Sequence, residues 1–208
     1  QHYLGLFLLF FKKILAIAPH TDDIELGCGG LLSRYKNKAE IDTIAFTSAQ
    51  PLSKGSPVDE FYDAMGLIGA NTRFLNFEPR VLNEQRQRVL DYLWKLNKEK
   101  NYDVVLCPSS YDNHQDHKVI YEECFRAFKK TTILGYELLW NCRTFRTDLF
   151  VSLEKKDLDL KMKMLDCYKT QGERVFMSKD YIYDIARTRG LQIGRKYAEA
   201  YEVIRAVI

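Results

Sequence analysis

The sequence lacks the features that mark a disulfide-stapled or membrane-spanning protein. Its five cysteines are odd in number, widely spaced and without a CxxC pair, which argues against a disulfide framework and predicts free thiols in a reducing, cytoplasmic setting. The apolar run over residues 4–11 has eight residues, whereas a bilayer-spanning helix needs about 20. Because basic residues follow this run rather than precede it, a signal peptide is not predicted. We expect an ordered arm or a leading strand here, with a peripheral membrane contact as the alternative, and no stable membrane insertion.

The chain also lacks a strong charge of either sign. Its 31 Lys and Arg residues against 28 Asp and Glu give a net charge of +3, and the cations are scattered among acids rather than massed in a stripe. This distribution argues against nucleic-acid binding and favours a small-molecule ligand. A length of 208 residues is ordinary for one domain that folds without disulfides. We therefore predict an N-terminal arm over residues 1–11 and a single domain over residues 12–208.

Short apolar runs alternate with amphipathic stretches along the chain. Strands are predicted over residues 14–18, 40–47, 72–77, 103–107 and 131–139, and helices over residues 26–39, 58–67, 82–100 and 118–129. Residues 49–57 are predicted as a loop. The last third adds a predicted strand over residues 147–153 and helices over residues 157–169 and 180–189, while residues 197–207 are compatible with helix or strand and are assigned to a closing strand. This alternation predicts an α/β fold, a Rossmann-like three-layer αβα sandwich with a mostly parallel sheet.

Two polar clusters follow directly on predicted strands. The first cluster contains His20, Asp22, Asp23 and Glu25, and the second contains Asp112, His114, Asp116 and His117. Because ligands of open parallel sheets bind beyond the carboxyl ends of the strands, both clusters should emerge on the same rim. Three of the four histidines of the chain fall in these clusters. Such a concentration predicts a functional site.

Imidazole and carboxylate donors together suit zinc, whose catalytic sites have three protein ligands and leave one position for water. One histidine from each cluster and one aspartate would satisfy that count. The structural alternative is that Asp22 or Asp23 caps the following helix. However, five acids and three histidines gathered on one rim without a cation would be electrostatically costly. The pair of clusters therefore favours a metal.

Three glycines, Gly27, Gly29 and Gly30, follow the first cluster. They do not match GxGxxG and no Gly-Lys-Ser/Thr ending is present, so a phosphate loop is not predicted. We expect them to let the backbone pass close to the metal site, with Cys28 as a small buried residue among them.

The two clusters resemble the signature motifs of the LmbE-like family, which includes the PIG-L deacetylases of the glycolipid-anchor pathway and the deacetylases of mycothiol and bacillithiol synthesis. The family motif Ala-His-Pro-Asp-Asp-x-Glu corresponds to residues 18–25, which read APHTDDIE, with Thr21 where the family commonly has proline. The motif His-x-Asp-His corresponds to residues 114–117, which read HQDH. Residues 187–199 also resemble the C-terminal stretch of family members. The resemblance thus runs from about residue 12 to the end of the chain.

This resemblance implies an LmbE-like fold and a zinc-dependent hydrolase that removes the N-acetyl group from an N-acetylglucosamine-type amino sugar or its conjugate. At the matching positions it implies that His20, Asp23 and His117 bind Zn²⁺. It also implies that Asp22 is the general base and that His114 faces the oxyanion. Asp116 is expected to hold His114 charged and oriented, and Glu25 to steady the site from behind its ligands.

Substrate contacts are predicted from position only. Arg143 is the first candidate, followed by Tyr111, with Arg146 and Gln171 as further polar residues at element ends. For each of them an ordinary surface or capping role is the alternative. The expected partner is a small-molecule amino-sugar conjugate, and a homo-oligomer is left open.

Two other functions are compatible with the same residues. One is a metal-dependent hydrolase of another bond, such as a phosphoester, for which two metal ions are common. The other is a non-catalytic zinc-containing module that binds a sugar without cleaving it. The presence of Asp22 and His114 argues against that module, because a binder needs neither a base nor an acid.

Overall fold

The computed structural model of the protein describes residues 11–48 and 56–207. The predicted arm, residues 1–11, lies outside these ranges except for Phe11, which packs in the core beside Tyr35 with ring centroids 5.8 Å apart. Most of the predicted loop over residues 49–57 lies outside them as well. All five cysteines carry free thiols. Within the described ranges, no helix combines the length and the apolar character needed to cross a bilayer.

Seven strands form one sheet. Their bounds are β1 Lys13–His20, β2 Glu40–Thr47, β3 Asn71–Phe74, β4 Val104–Pro108, β5 Thr132–Tyr136, β6 Leu149–Leu153 and β7 Tyr197–Arg205. The spatial order is β3-β2-β1-β4-β5-β7-β6. Neighbours among β1 to β5 are parallel, whereas β7 is antiparallel to both β5 and β6. The predicted α/β fold with a mostly parallel sheet is confirmed.

Helices cover both faces of this sheet. Their bounds are α1 Asp23–Tyr35, α2 Pro57–Gly66, α3 Arg86–Glu99, α4 Gln115–Ala127, α5 Lys155–Leu165 and α6 Lys179–Leu191. Alternate residues of β1 enter different cores: Ile14 packs with residues of α1, α2 and α5, and Leu15 packs with residues of α3 and α4. A strand buried on both faces reads as a continuous apolar run, which is why residues 14–18 were recognisable in the sequence.

The strand order places a topological switch point at the centre of the sheet. From β1 the chain moves outward to β2 and β3, and then returns to β4 on the other side of β1. The connections after β1 and β4 therefore diverge, and they open a crevice at the carboxyl ends of these two strands. His20 is the last residue of β1, and the second polar cluster follows Pro108 at the end of β4.

Two helices begin three residues earlier than predicted. The sequence pattern started them at residues 26 and 118, but α1 begins at Asp23 and α4 at Gln115. In α4 the imidazole of His114 caps the helix by accepting a hydrogen bond from the backbone N–H of Asp116. Acids in a first turn are also favoured by the helix dipole. As a result, polar residues of both clusters belong to helix starts rather than to loops.

The predicted helix over residues 82–100 is divided in the structure. Residues Leu82–Gln85 form a 3₁₀ turn, and α3 starts only at Arg86. The backbone N–H groups of Arg80 and Leu82 donate to the carboxylate of Asp116 at 2.7 and 3.3 Å. This distant acid holds the segment before α3 against the site.

A kink in α1 is held by a buried ion pair. Cys28 has non-helical angles (φ −140°, ψ 15°), so backbone groups on either side need other partners. Glu199 of β7 accepts from the N–H groups of Gly30 and Leu31 at 2.8 and 2.7 Å. Lys161 of α5 donates to the carbonyl of Leu26 at 2.8 Å and to Glu199 at 2.8 Å. The ion pair thus fixes the helix whose first turn carries part of the site.

The glycines of α1 serve close packing, which corrects the expectation that they make room for the metal site. A Cβ on Gly27 would collide with the ring of Tyr136, and one on Gly30 would lie 2.8 Å from a carboxylate oxygen of Glu199. Gly29 faces the side chain of Lys161, 3.0 Å from the position of such a Cβ. These residues let α1 approach β5, β7 and α5.

We predict that Gly27→Ala lowers the free energy of unfolding by about 1–3 kcal/mol, because the added methyl group overpacks the contact with Tyr136. Gly66→Ala is the matched control, since nothing lies within 4 Å of its added Cβ. The control should be unchanged or more stable by up to about 1 kcal/mol. Urea denaturation measures both, and equal stability of the two variants would contradict the packing account.

Candidate metal centre and active site

Three ligand atoms converge at the switch point. The Nδ1 atom of His20 lies 3.1 Å from Oδ2 of Asp23 and 3.1 Å from Nε2 of His117. The third side of the triangle, from His117 Nε2 to Asp23 Oδ2, is 3.3 Å. These side chains come from the end of β1 and from the first turns of α1 and α4. The structure therefore brings together all three predicted metal ligands.

The spacing of these atoms fits a divalent metal ion. Two ligands of a tetrahedral zinc at about 2.0–2.1 Å are about 3.3 Å apart, close to the three observed separations. His114 is also near, because the donor atoms of His20, His114 and His117 all lie within 4.8 Å of one another. The cluster thus offers imidazole and carboxylate donors from three sides.

Two further carboxylates orient the histidine ligands. Nδ1 of His117 lies 2.7 Å from Oδ2 of Asp112, and Nε2 of His20 lies 3.2 Å from Oδ2 of Asp116. A carboxylate accepts the proton of the ring nitrogen that faces it, so the other nitrogen keeps its lone pair. In both rings that free nitrogen belongs to the triangle. The outer acids therefore select the tautomers that bind a cation.

The role expected for Asp116 differs from its position in the structure. Its carboxylate accepts hydrogen bonds from His20 and from the backbone of residues 80 and 82, not from the imidazole of His114. Only the backbone N–H of Asp116 contacts His114, donating to Nδ1 at 3.2 Å. The reason is the helical start of α4, which directs the Asp116 side chain toward β1.

Asp112 was not given a role by sequence reasoning, although it belongs to the second polar cluster. It is 1% exposed, and besides contacting His117 it accepts from the backbone N–H of His114 at 2.8 Å. The only sequence signal was an acid five residues before a candidate ligand. That spacing does not indicate whether Asp112 or Asp116 is the acid that contacts His117.

Neighbouring charges shift the pKa values of the triangle strongly. Burial by itself lowers the pKa of His20, but the charge of Asp23 and hydrogen bonds to Asp116 and Asp23 outweigh it and raise that pKa to about 9. The pKa of His117 rises to about 10 against the same effect of burial, through Asp23 and Asp112. Burial also opposes the ionisation of Asp23, but the two imidazolium charges hold its pKa far below the ordinary value. The pocket favours positive charge.

Asp22 lies beside the triangle without belonging to it. It immediately precedes α1 but its side chain makes no capping hydrogen bond to the helix, and it is 4% exposed and lines the cleft in front of the histidines. Burial and the negative charge of Asp23 raise its pKa to about 6. Behind it, fully buried Glu25 accepts a hydrogen bond from the hydroxyl of Tyr168 at 2.7 Å, and burial raises the pKa of Glu25 well above the ordinary value.

His114 faces the same cleft with a lowered pKa. Burial and the positive charges of His117 and His20 disfavour its imidazolium form, which contrasts with the expected charged side chain. Since Nδ1 accepts a backbone hydrogen bond, the proton of the neutral ring belongs on Nε2. His114 can therefore act as a neutral hydrogen-bond donor.

The cleft in front of these groups has a volume of about 580 Å³. Besides the site residues, its lining includes Glu78, Arg80, Trp140, Arg174 and Phe176. The predicted substrate contacts Arg143 and Tyr111 do not line it: Arg143 is exposed, and Tyr111 lies beside Arg146. Gln171 is buried, with both polar side-chain atoms unpaired among the described residues. The two arginines that line the cleft, Arg80 and Arg174, belong to segments in which the sequence shows no recognisable motif.

Comparison with known proteins identifies the family. Residues 15–128 match PIG-L, described as GlcNAc-PI de-N-acetylase. The uncharacterized deacetylase YaiS of Escherichia coli (strain K12) is 30% identical over 169 residues, which cover 76% of this chain and 91% of that protein. The chain belongs to the PIG-L, LmbE-like family of deacetylases, as its motifs predicted.

Solved structures share the fold across nearly the whole chain. The N,N'-diacetylchitobiose deacetylase from Pyrococcus horikoshii has a TM-score of 0.77 at 21% identity, covering 93% of this chain and 84% of that one. GalB, the 4-carboxy-2-hydroxymuconate hydratase from Pseudomonas putida KT2440, has a TM-score of 0.75 at 16% identity, covering 95% and 98%. A deacetylase and a hydratase thus have similar folds, and the reaction must be argued from the site.

The raised histidine pKa values predict pH-dependent metal binding. The pKa values of His20 and His117 both lie above the ordinary value of 6.5. Protonation of these imidazoles therefore stabilises the metal-free folded protein fully below pH 6.5, and this contribution is lost as the pH rises through about 9 to 10. A metal must displace these protons, so its affinity should rise about tenfold per pH unit for each proton displaced. Titration calorimetry in buffers of different ionisation enthalpy measures both quantities.

Two variants serve as controls for this measurement. His117→Ala should lose the bound ion, whereas Glu78→Gln, which changes a cleft residue outside the triangle, should bind one ion per chain as the unaltered protein does. An affinity that is independent of pH and unchanged in His117→Ala would contradict the assigned ligands.

We predict that Asp112→Asn weakens metal binding by about 10- to 100-fold, because it removes the carboxylate that orients His117 while keeping the side-chain shape. Competition with a chromophoric chelator measures the affinity. Asn113→Ser, at the exposed neighbouring position, should leave it unchanged. Equal affinities for the two variants would show that Asp112 does not orient the ligand.

Proposed function

We propose that this protein is a zinc-dependent hydrolase that removes the N-acetyl group from an N-acetylglucosamine-type amino sugar or its conjugate. One observation carries the proposal: three lone-pair donors converge within 3.1–3.3 Å of one another, beside a buried carboxylate, Asp22, that is not one of them. Membership of a deacetylase family supports this reaction over others that the fold could host.

His20, Asp23 and His117 would hold the metal, and their imidazole and carboxylate donors suit zinc among the divalent ions. When bound, zinc would polarise a carbonyl oxygen and lower the pKa of water. The protein contributes the ligand geometry through Asp112 and Asp116, which keep the lone pairs of both imidazoles directed to one point.

Asp22 is suited to act as the general base. A pKa of about 6 leaves it ionised at neutral pH but basic enough to take a proton from an attacking water. The water oxygen bonds to the amide carbon while Asp22 receives the proton. The tetrahedral intermediate then breaks its C–N bond, and the proton passes from Asp22 to the departing amine. The products are acetate and the free amino sugar.

His114 is suited to stabilise the oxyanion as a neutral donor rather than as a cation. Its Nδ1 is occupied by the backbone N–H of Asp116, so Nε2–H is free to donate toward the cleft. A donor aimed at the oxygen on which charge develops contributes in a partly desolvated site without itself being charged. This assignment keeps the predicted position of His114 and changes its protonation state.

The competing functions receive less support. Within the described residues a single cluster of ligating side chains has metal-site spacing, whereas phosphoester hydrolases commonly need two ions. A non-catalytic sugar-binding module would not need a base of raised pKa beside the ligands. Five free thiols support the predicted cytoplasmic location, and a small amino-sugar conjugate remains the proposed partner.

We expect the zinc-loaded protein to release acetate and amine from N-acetylglucosamine derivatives, and Asp22→Asn to lower kcat by about 10²- to 10⁴-fold through loss of the base. Amine release detected with a fluorogenic reagent measures turnover. Chelation of the metal should abolish it, and readdition of zinc should restore it.

The control is the metal content of Asp22→Asn, which should stay at one ion per chain because Asp22 is not part of the triangle. Full turnover by this variant would refute the assigned base. Two ions per chain together with cleavage of a phosphoester would favour the competing hydrolase. Tight sugar binding without any product would favour the binding module.

A further inference from the structure

The cleft has an aromatic wall that the proposed chemistry does not use. Trp140 lies in a 3₁₀ turn after β5, and Phe176 lies in another 3₁₀ turn before α6. Their rings are stacked, with centroids 4.3 Å apart and an interplanar angle of 10°. Trp140 remains 41% exposed, and both rings line the cleft in front of the histidines.

A stacked aromatic pair of this kind contributes a rigid and apolar part of the cleft lining. Aromatic linings suit the C–H groups of sugar rings, while polar groups around them bind the ring substituents. Trp140 also packs near Tyr181, with centroids 6.1 Å apart, so a second aromatic neighbour restrains its ring. The wall is therefore built before a ligand arrives.

Arg174 lies at the edge of this wall without an anionic partner. Its guanidinium carbon is 5.5 Å from the centroid of Phe176, and the residue lines the cleft. No carboxylate of the described residues forms an ion pair with it, whereas the buried Lys161 and the partly buried Arg189 and Arg86 pair with Glu199, Glu137 and Glu123. A guanidinium that forms no ion pair in a cleft is suited to a ligand that brings the negative charge.

The cleft contains other charged side chains besides Arg174. Asp22 and Asp23 lie at the reacting end, and Glu78 and Arg80 are exposed residues of the lining. Glu78 and Arg80 belong to one segment and carry opposite charges. Arg174 is the cation of the cleft that lies next to the aromatic wall.

We propose that Arg174 and the Trp140–Phe176 stack form a subsite for the sugar ring and an acidic substituent, a phosphate or a carboxylate, of the amino-sugar substrate. This inference rests on the proposed function and specifies its substrate class. The guanidinium would bind the acidic group through paired hydrogen bonds, which a planar fork makes to carboxylate and phosphate alike.

The test compares a neutral amino sugar with two derivatives of it that carry an acidic substituent. N-Acetylglucosamine, its 1-phosphate and N-acetylmuramic acid are titrated into zinc-loaded Asp22→Asn protein by calorimetry, so that binding is read without turnover. We expect one or both acidic sugars to bind about 10- to 100-fold more tightly than the neutral sugar. The phosphate and lactyl compounds tell which acidic group is preferred.

Arg174→Gln, combined with Asp22→Asn, should remove this preference, so that the acidic sugars bind no more tightly than the neutral one. Arg126→Gln is the matched control, because it removes the same charge near the carboxyl end of α4, away from the cleft. Trp140→Ala should weaken all three sugars alike, and Trp140→Phe should restore much of that loss. Zinc content confirms that each variant keeps its site.

Two outcomes would overturn the inference: equal affinity for neutral and acidic sugars, or a preference that survives in Arg174→Gln. A third outcome would contradict the inference by giving Arg174 a different role. The charge of Arg174 lowers the pKa of Asp22, whereas burial and Asp23 raise it. If Arg174→Gln in the active protein shifts the acidic limb of the pH profile and lowers kcat equally for all sugars, it tunes the base instead. Absence of hydrolysis by the Asp22-containing protein refutes the proposed function, while the titrations still decide the subsite.

Discussion

The convergence of three electron-rich atoms at one point is the constraint on which the rest of this site depends. Two imidazole nitrogens and a carboxylate oxygen lie 3.1–3.3 Å apart, closer than lone pairs tolerate without a proton or a metal between them. The neighbouring carboxylates, Asp23 above all, raise the pKa values of both histidines and so favour a positive charge at this point. The outer acids Asp112 and Asp116 make the arrangement hold, because each fixes a ring nitrogen as a donor.

The surrounding fold supports that convergence at some distance. The first turn of α1 carries Asp22 and Asp23, and the kink that follows at Cys28 would leave buried backbone groups unpaired. Glu199 and Lys161 supply the missing partners. A buried ion pair adds little net stability when compared with apolar packing, but here it hydrogen-bonds to the broken helix directly. We therefore infer that the Glu199–Lys161 pair stabilises the start of α1, which carries Asp22 and Asp23.

In the function that we propose, reaction type and substrate preference depend on different parts of the cleft. The ligand triangle and Asp22 supply groups for hydrolysis, and they come from the strand ends that the fold shares with a hydratase as well as a deacetylase. The aromatic wall and Arg174 come from 3₁₀ turns and loops after β5 and α5. Loops tolerate change more readily than sheet-end positions, so a family can keep its chemistry while the recognised conjugate changes.

The sequence by itself determined the α/β fold and the two strand ends that carry the site, and the resemblance of its two motifs to a known family indicated which of the clustered residues converge. The fold and the strand ends follow from local signals: apolar runs fully buried in a parallel sheet, and polar clusters directly after them. Tertiary structure alone decided which acid contacts which histidine, why α1 and α4 begin early, and that Arg174 rather than Arg143 lines the cleft. Those facts depend on the distance between atoms that are far apart in the chain, such as His20 and Asp116, and local periodicity contains no information about it.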